Sequence, residues 1–169
     1  MYNGDVGATE PRPASTRHGV EVTNYYSSKK WLTFDLDLSL SRARFVEYDP
    51  AGQYVPEAVE TVVSAGASID NFHRASGSIR LRYFGPRALT QDNSVQSHPT
   101  TLVNLDGGCQ VGRHLRLSAQ LFNLFDSAVD DIDYYFTSRL PGEPLEGVDD
   151  IHFHPAVPRA LRMGLIVGF

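Results

Sequence analysis

Residues 32–41 alternate without a fault. Leu32, Phe34, Leu36, Leu38 and Leu40 are apolar, and Thr33, Asp35, Asp37, Ser39 and Ser41 between them are polar. A period of two sends successive side chains to opposite sides of a β-strand, so this segment predicts a strand with one aliphatic face and one face of carboxylates and hydroxyls. The same period recurs along the chain. Val20 and Val22 alternate with Glu21 and Thr23, and Val63, Ala65, Ala67 and Ile69 with Ser64, Gly66, Ser68 and Asp70. Gly77, Ile79, Leu81 and Tyr83 stand against Ser78, Arg80 and Arg82, and Val103, Leu105, Gly107, Cys109 and Val111 against Asn104, Asp106, Gly108 and Gln110. Leu115, Leu117, Ala119 and Leu121 follow, and a last strand sets Leu161, Met163, Leu165, Val167 and the terminal Phe169 against Arg162, Gly164, Ile166 and Gly168. Seven strands are predicted, and no segment reads as a helix.

The connections alternate as regularly as the side chains. Those after the first, third and fifth strands are short, as at Ser27–Lys30, Asn71–Arg74 and Gly112–Arg113, whereas those after the second, fourth and sixth are long, the longest covering residues 127–158. Outer-membrane barrels show this asymmetry, with short periplasmic turns and long extracellular loops, and their strands of about 10 residues match those predicted here. The expected fold class is therefore all-β: antiparallel transmembrane barrel strands, too few to close alone. Residues 1–18, rich in Gly, Pro, Ser and Thr, read as the remainder of an extracellular loop, and residues 19–169 as the strands and loops of the barrel.

Mean hydropathy is −0.26, and no stretch approaches the apolar run that a spanning helix requires. A barrel passes that test, because only alternate residues meet lipid. The formal net charge of −5 and the absence of any basic run exclude nucleic acid as a partner. Cys109 is the only cysteine, so the chain has no internal disulfide and no cysteine-built zinc site. The first residues have neither a basic nor an apolar signal-peptide region. A barrel protein needs one for export, so the expectation is that Met1 is an internal or truncated start and that the N-terminal part of the protein is absent from the sequence.

Membrane-facing positions follow from the alternation: Leu32, Phe34, Leu36, Leu38, Leu40, Leu115, Leu117, Leu161, Met163, Leu165 and Val167. A soluble sheet with one wet face would show a similar pattern. Asp35, Asp37, Arg80 and Arg82 then line the lumen as hydrated wall charges that pair with neighbouring strands or a plug, in preference to a substrate site. Tyr25, Tyr26, Trp31, Tyr48, Tyr83 and Phe84 fall at strand ends, where interfacial aromatic girdles sit. In the longest loop, His152 and His154 share a face if that segment is extended, and Asp130, Asp131, Asp133, Asp149 and Asp150 accompany them. Nothing fixes a third ligand, so the segment reads as a solvated loop with low-grade ligand candidates Asp130, Asp131, Asp133, His152 and His154, and no metal or cofactor is expected. No nucleophile elbow or other ordered acyl-transfer signature is present, and the chain does not read as an enzyme.

LFNLFD at Leu121–Asp126, DYYFTSRLPGEP at Asp133–Pro144 and PRALRMGLIVGF closing on Phe169 together resemble the end of a TonB-dependent receptor barrel. RLRYFGPRAL at Arg80–Leu89 and TTLVNLDGGCQVG at Thr100–Gly112 resemble that family's penultimate strands. The resemblance implies the C-terminal strands of a 22-stranded, plugged barrel. It also implies an outer-membrane location, import of a scarce ligand such as a siderophore, cobalamin or a glycan, and energy from the TonB complex contacted through N-terminal parts. Phe169 would then be an assembly signal read by the barrel-assembly machinery. With no plug, no TonB box and two unpaired edges, these residues alone are expected to be inactive. A second reading stays open: an independent soluble β-sandwich binding module, or a small outer-membrane barrel protein or enzyme.

Overall fold

The computed structural model describes residues 2–3, 8–9 and 13–168; Phe169, the expected assembly signal, lies outside the described residues. Among the described residues every regular element is a strand. Two short strands, β1 (Tyr2–Asn3) and β2 (Ala8–Thr9), pair with each other. The main sheet then comprises β3 (Ser15–Lys29), β4 (Leu32–Phe45), β5 (Thr61–Phe72), β6 (Ala75–Phe84), β7 (Thr100–Val111), β8 (Leu115–Phe122) and β11 (Ala160–Val167). Their spatial order is β11-β8-β7-β6-β5-β4-β3, antiparallel throughout. The sheet is an open meander whose edges, β3 and β11, do not pair with each other.

All seven expected strands exist, with two differences. The first begins at Ser15, not Gly19, and runs to Lys29, so Ser27–Lys29 belong to the strand and the turn contracts to Lys30 and Trp31. The longest connection is not structureless. It carries a separate hairpin of β9 (Asp130–Ser138) and β10 (Val148–Pro155).

The register explains why the alternation is kept on every strand. Cross-strand partners share a face, and the rows Val22–Leu38–Val63–Tyr83 and Phe34–Ala67–Ile79–Leu105–Leu121–Leu161 run along one side of the sheet. The rows Tyr25–Asp35–Gly66–Arg80–Asn104 and Thr23–Asp37–Ser64–Arg82 run along the other. Turns at 30–31, 73–74 and 112–114 lie at one end. His73 and Arg74 both have positive φ (50° and 70°), the twist-compatible geometry of a two-residue hairpin turn. The long connections 46–60, 85–99 and 123–159 lie at the other end.

A sandwich buries its apolar face against a second sheet. Here the seven strands form a single layer, and Phe34, Leu36, Leu40, Leu117, Leu161, Met163, Leu165 and Val167 are exposed on its apolar side. Among the described residues the buried apolar ones are instead Ala43, Phe45, Ala88, Leu89 and Val103, in the long connections or on the strand segments near them.

Candidate functional site

On the polar face, Asp35 and Arg80 stand two strands apart, with Gly66 of β5 between them in the same row. The Arg80 guanidinium donates to both carboxylate oxygens of Asp35 at 2.8 and 3.1 Å, and also to Ser64 Oγ at 3.2 Å. Glycine at the crossing point leaves room for the pair, because a Cβ on residue 66 would lie 2.6 Å from Asp35 Oδ1 and displace the carboxylate. The expected pairing with a neighbouring strand is thus realised across one. Asp37 and Arg82 occupy the next row, but form no ion pair among the described residues. Ser78 donates to Asp106 on the adjoining strand.

The long-loop end is more elaborate. The Arg44 guanidinium lies 3.7 Å over the Tyr54 ring and pairs with Glu60, tying the middle and the far end of connection 46–60 back to β4. That connection is stitched to 85–99 by backbone N–H groups of Tyr54 and Glu57, which donate to the carbonyls of Gln91 and Ala88 at 2.9 and 2.8 Å. Between the two connections lies a cavity of about 180 Å³, lined by Arg44, Tyr54, Glu60, Arg87, Asn93 and Gln96 among others. Asp92 organises the tip of 85–99: its Oδ1 accepts from Thr90 Oγ1 at 2.6 Å, Ser94 Oγ at 2.8 Å and the Ser94 N–H at 3.0 Å. These bonds, the Thr90 hydroxyl foremost, hold its carboxyl at about 2, well below the usual carboxylate range.

The base of the longest connection is closed by the LFNLFD segment. Asn123, at φ 48° and fully buried, donates through Nδ2 to the carbonyls of Ser127 (3.0 Å) and Val157 (3.2 Å), and accepts the Ser127 N–H at 2.9 Å. Its own N–H donates to Asn104 Oδ1 at 2.9 Å. Asp126 accepts from the N–H of Arg159 at 3.0 Å and from its guanidinium at 3.3 Å. Asn123 and Asp126 together therefore bring the two ends of the loop together. The pattern of apolar positions carried no sign of this, although Asn is a residue type that tolerates positive φ and caps turns.

The β9–β10 hairpin separates the loop residues singled out from sequence. His152 and His154 do share a face of β10, yet the His152 ring is stacked on Phe136 at 3.9 Å. Asp133 pairs in register with Phe153, so it projects to the opposite face of the hairpin from His152. Asp130 enters the structure through its carbonyl, which accepts from Thr100 Oγ1, and Asp131 is exposed. Among the described residues no group of three or more His, Cys, Asp or Glu is placed to hold a metal ion.

Asp133 is instead the most enclosed large side chain, 1% exposed, and its carboxylate lies 3.7 Å from the guanidinium of Arg87, itself 7% exposed. Burial raises its pKa, opposed by the charge of Arg87 and, less strongly, by His98, while Asp130 adds to the rise. Neither carboxylate oxygen accepts a hydrogen bond among the described residues. The ion pair docks the hairpin against connection 85–99. Arg87, which the sequence pattern did not single out, is half of that contact.

No protein-family model and no curated protein matches the chain. Solved structures do. The ferric yersiniabactin uptake receptor FyuA from Yersinia pestis superposes with a TM-score of 0.73 at 15% identity, over 92% of this chain and 24% of that one. The closed form of the ferric-catecholate import receptor Fiu from E. coli K12 gives 0.69 at 17% identity, over 97% of this chain and 22% of that one. The copper transporter OprC gives 0.63 at 17% identity, over 92% and 24%. The chain thus spans about a quarter of the length of these structures. Its all-β, open antiparallel sheet has the fold of part of the barrel wall of TonB-dependent receptors.

Proposed function

We propose that the chain is the C-terminal part of the barrel wall of a TonB-dependent receptor in the bacterial outer membrane. Such a receptor imports a scarce ligand of siderophore, cobalamin or glycan type. The observation that carries the reading is the single open sheet itself, whose apolar face is continuous across seven strands and bare, with three long connections at one end. Lipid is the solvent in which a one-layer sheet of this kind is stable, once its edges are paired. The solved structures that share this fold are named for ferric-siderophore, ferric-catecholate and copper transport, which supports import as the activity.

In this reading Leu32, Phe34, Leu36, Leu38, Leu40, Leu115, Leu117, Leu161, Met163, Leu165 and Val167 meet lipid, and Asp35 and Arg80 face the lumen. The long connections, with Asp130, Asp131, Asp133, His152 and His154 in the last of them, stand where ligand arrives. The plug and the TonB contact belong to other parts of the receptor, so these residues by themselves do not transport. The test places single cysteine probes along residues 32–41 in the receptor that carries these strands and measures quenching by lipid-borne nitroxides. Strong quenching at 34, 36, 38 and 40 with weak quenching at 35, 37 and 39 supports the reading; a uniform response overturns it. Ligand uptake by cells expressing only these 169 residues would refute their dependence on the rest of the receptor.

A further inference from the structure

In the main sheet, among the described residues, two β-bulges break the alternation, and both occur at the short-turn end. In β3 the register slips between Ser27 and Lys29, so that Lys29 pairs with Leu32. In β5 it slips between Ile69 and Phe72, so that Phe72 pairs with Ala75, which in turn pairs with Cys109. A bulge flips the side chains beyond it to the other face. Lys29 and Phe72 would otherwise continue the polar face; the bulges turn both onto the apolar one. Trp31 follows Lys29 and Lys30 in the chain, and its ring packs on Phe72 at 4.4 Å. The next turns lie alongside: the Asp70 N–H donates to the Trp31 carbonyl, the Gln110 N–H to that of Arg74, and the Gly168 N–H to that of His114.

The two ends differ in how their cations are matched. Lys29, Lys30, His73, Arg74, Arg113 and His114 are exposed at this rim, with Asp70 as the acid among them, while at the opposite end Arg44, Arg87 and Arg159 each pair with a carboxylate, of Glu60, Asp133 and Asp126. Lys29, Lys30 and Arg113 form no ion pair among the described residues. Arg74 lines a separate cavity of about 350 Å³ with Asp70 and Arg116.

We propose that this rim, with Lys29, Lys30, Trp31 and Phe72 at one part of it and Arg113 further along, holds the phosphate headgroups of anionic phospholipids in the leaflet at the short-turn end. The inference rests on the barrel-wall reading and adds a specific lipid partner to it. From Leu32 to Leu40 the apolar face spans eight steps of ~3.3 Å, which at a barrel tilt of about 40° cover about 20 Å along the membrane normal, most of the roughly 25 Å lipid-facing band, so the rim falls near where acyl chains give way to headgroups. An amphipathic ring there anchors the interface, and lysines that start on the lipid side reach outward to phosphate with their stems along the chains. Charge complementarity selects anionic over zwitterionic lipid, since the unpaired cations have no carboxylate to neutralise them.

The test reconstitutes the receptor that carries these strands into vesicles of phosphatidylcholine and phosphatidylglycerol in equal amounts, with bromine on the acyl chains of one lipid or the other. Trp31 is the only tryptophan of the chain, and subtracting the W31F signal isolates its emission. Quenching should report about fivefold enrichment of phosphatidylglycerol around Trp31, the factor that one membrane-adjacent cation supplies. The variant K29Q/K30Q/R113Q should bring the two lipids to parity, and so should high salt. A fluorophore on Cys109, blanked with C109S, reports insertion of the apolar face and serves as the folding control for the variant. No quenching of the Cys109 probe by either lipid overturns the barrel-wall reading, and this inference with it. A quenched Cys109 probe with equal quenching of Trp31 by both lipids overturns this inference alone. So does a Trp31 shielded from both lipids, which would put another polypeptide over the rim.

Discussion

Replacing Gly66 with alanine puts a methyl group into the gap through which Asp35 and Arg80 meet. The added Cβ would stand 2.6 Å from Asp35 Oδ1, where ordinary contact begins at 3.4 Å, so the carboxylate must retreat by about 0.8 Å (3.4 − 2.6). Applied to donor distances of 2.8 and 3.1 Å, that retreat takes both bonds beyond hydrogen-bonding range. The pair is partly wet, with the Arg80 side chain 42% and that of Asp35 18% exposed. Its loss is therefore valued at about 1 kcal/mol, the upper end for exposed pairs, and not at the larger figure for a buried one. Against this, alanine in a strand gains roughly 0.5–1 kcal/mol over glycine by restricting the unfolded chain. The two effects nearly cancel in the native background. In a D35A background only the gain survives, so G66A is expected to stabilise there by roughly 0.5–1 kcal/mol. The measurement is equilibrium urea unfolding of the receptor in detergent micelles for the four proteins of the cycle. A coupling of about 1 kcal/mol is the expected result; additivity within about 0.3 kcal/mol would show that Asp35 and Arg80 move together without loss and would refute the argument.

Asp133→Leu strands Arg87 as an unpaired buried charge, at a cost of about 3–5 kcal/mol, whereas Arg87→Leu with Asp133→Leu removes both charges together. Trypsin cleavage at Arg139, exposed between β9 and β10, should accelerate about a hundredfold or more in the single variant and return toward the native rate in the double one; equal rates would sink the docking role of the pair. Burial raises the pKa of Asp133 in the folded state against the pull of Arg87, so the contribution of this one carboxyl is present below the ordinary 3.8 and is lost as pH rises through the folded pKa, the ion pair with Arg87 offsetting part of that loss. Asp92 has the opposite sign: its contribution to ordering 85–99 is complete above 3.8 and disappears as pH falls through about 2. A carboxyl-carbon NMR titration should show that low midpoint, and Thr90→Val should move it upward; an unmoved midpoint would exclude the Thr90 hydroxyl as the main cause. If, as proposed, these strands close a receptor barrel, deleting Phe169 should lower its outer-membrane assembly while leaving the ligand affinity of inserted protein unchanged, as measured by surface yield and binding on intact cells; normal yield would argue against Phe169 as an assembly signal.

The strands of the main sheet were legible in the sequence because each must present unlike faces to unlike surroundings, and that demand is written residue by residue with a period of two. Leu32 to Leu40 show it without interruption, and the short and long connections show which strand ends lie together. The β9–β10 hairpin escaped the same reasoning for a physical reason. Ile132, Tyr134, Phe136 and Phe153 are exposed although Asp133 between them is buried, so neither face imposes the usual apolar-in, polar-out code. The partners of the charged residues were beyond the sequence as well. Asp35 and Arg80 are separated by 45 positions and meet only because the register of two strand pairs aligns them across a residue without a side chain. Arg87 finds Asp133 only when the last connection folds back over the one before it, and Lys29 and Phe72 change faces only because two bulges shift the pairing. Periodicity is a local property of the chain and survives in the sequence alone. Register, bulges and loop docking are set by long-range pairing, which only the tertiary structure decides.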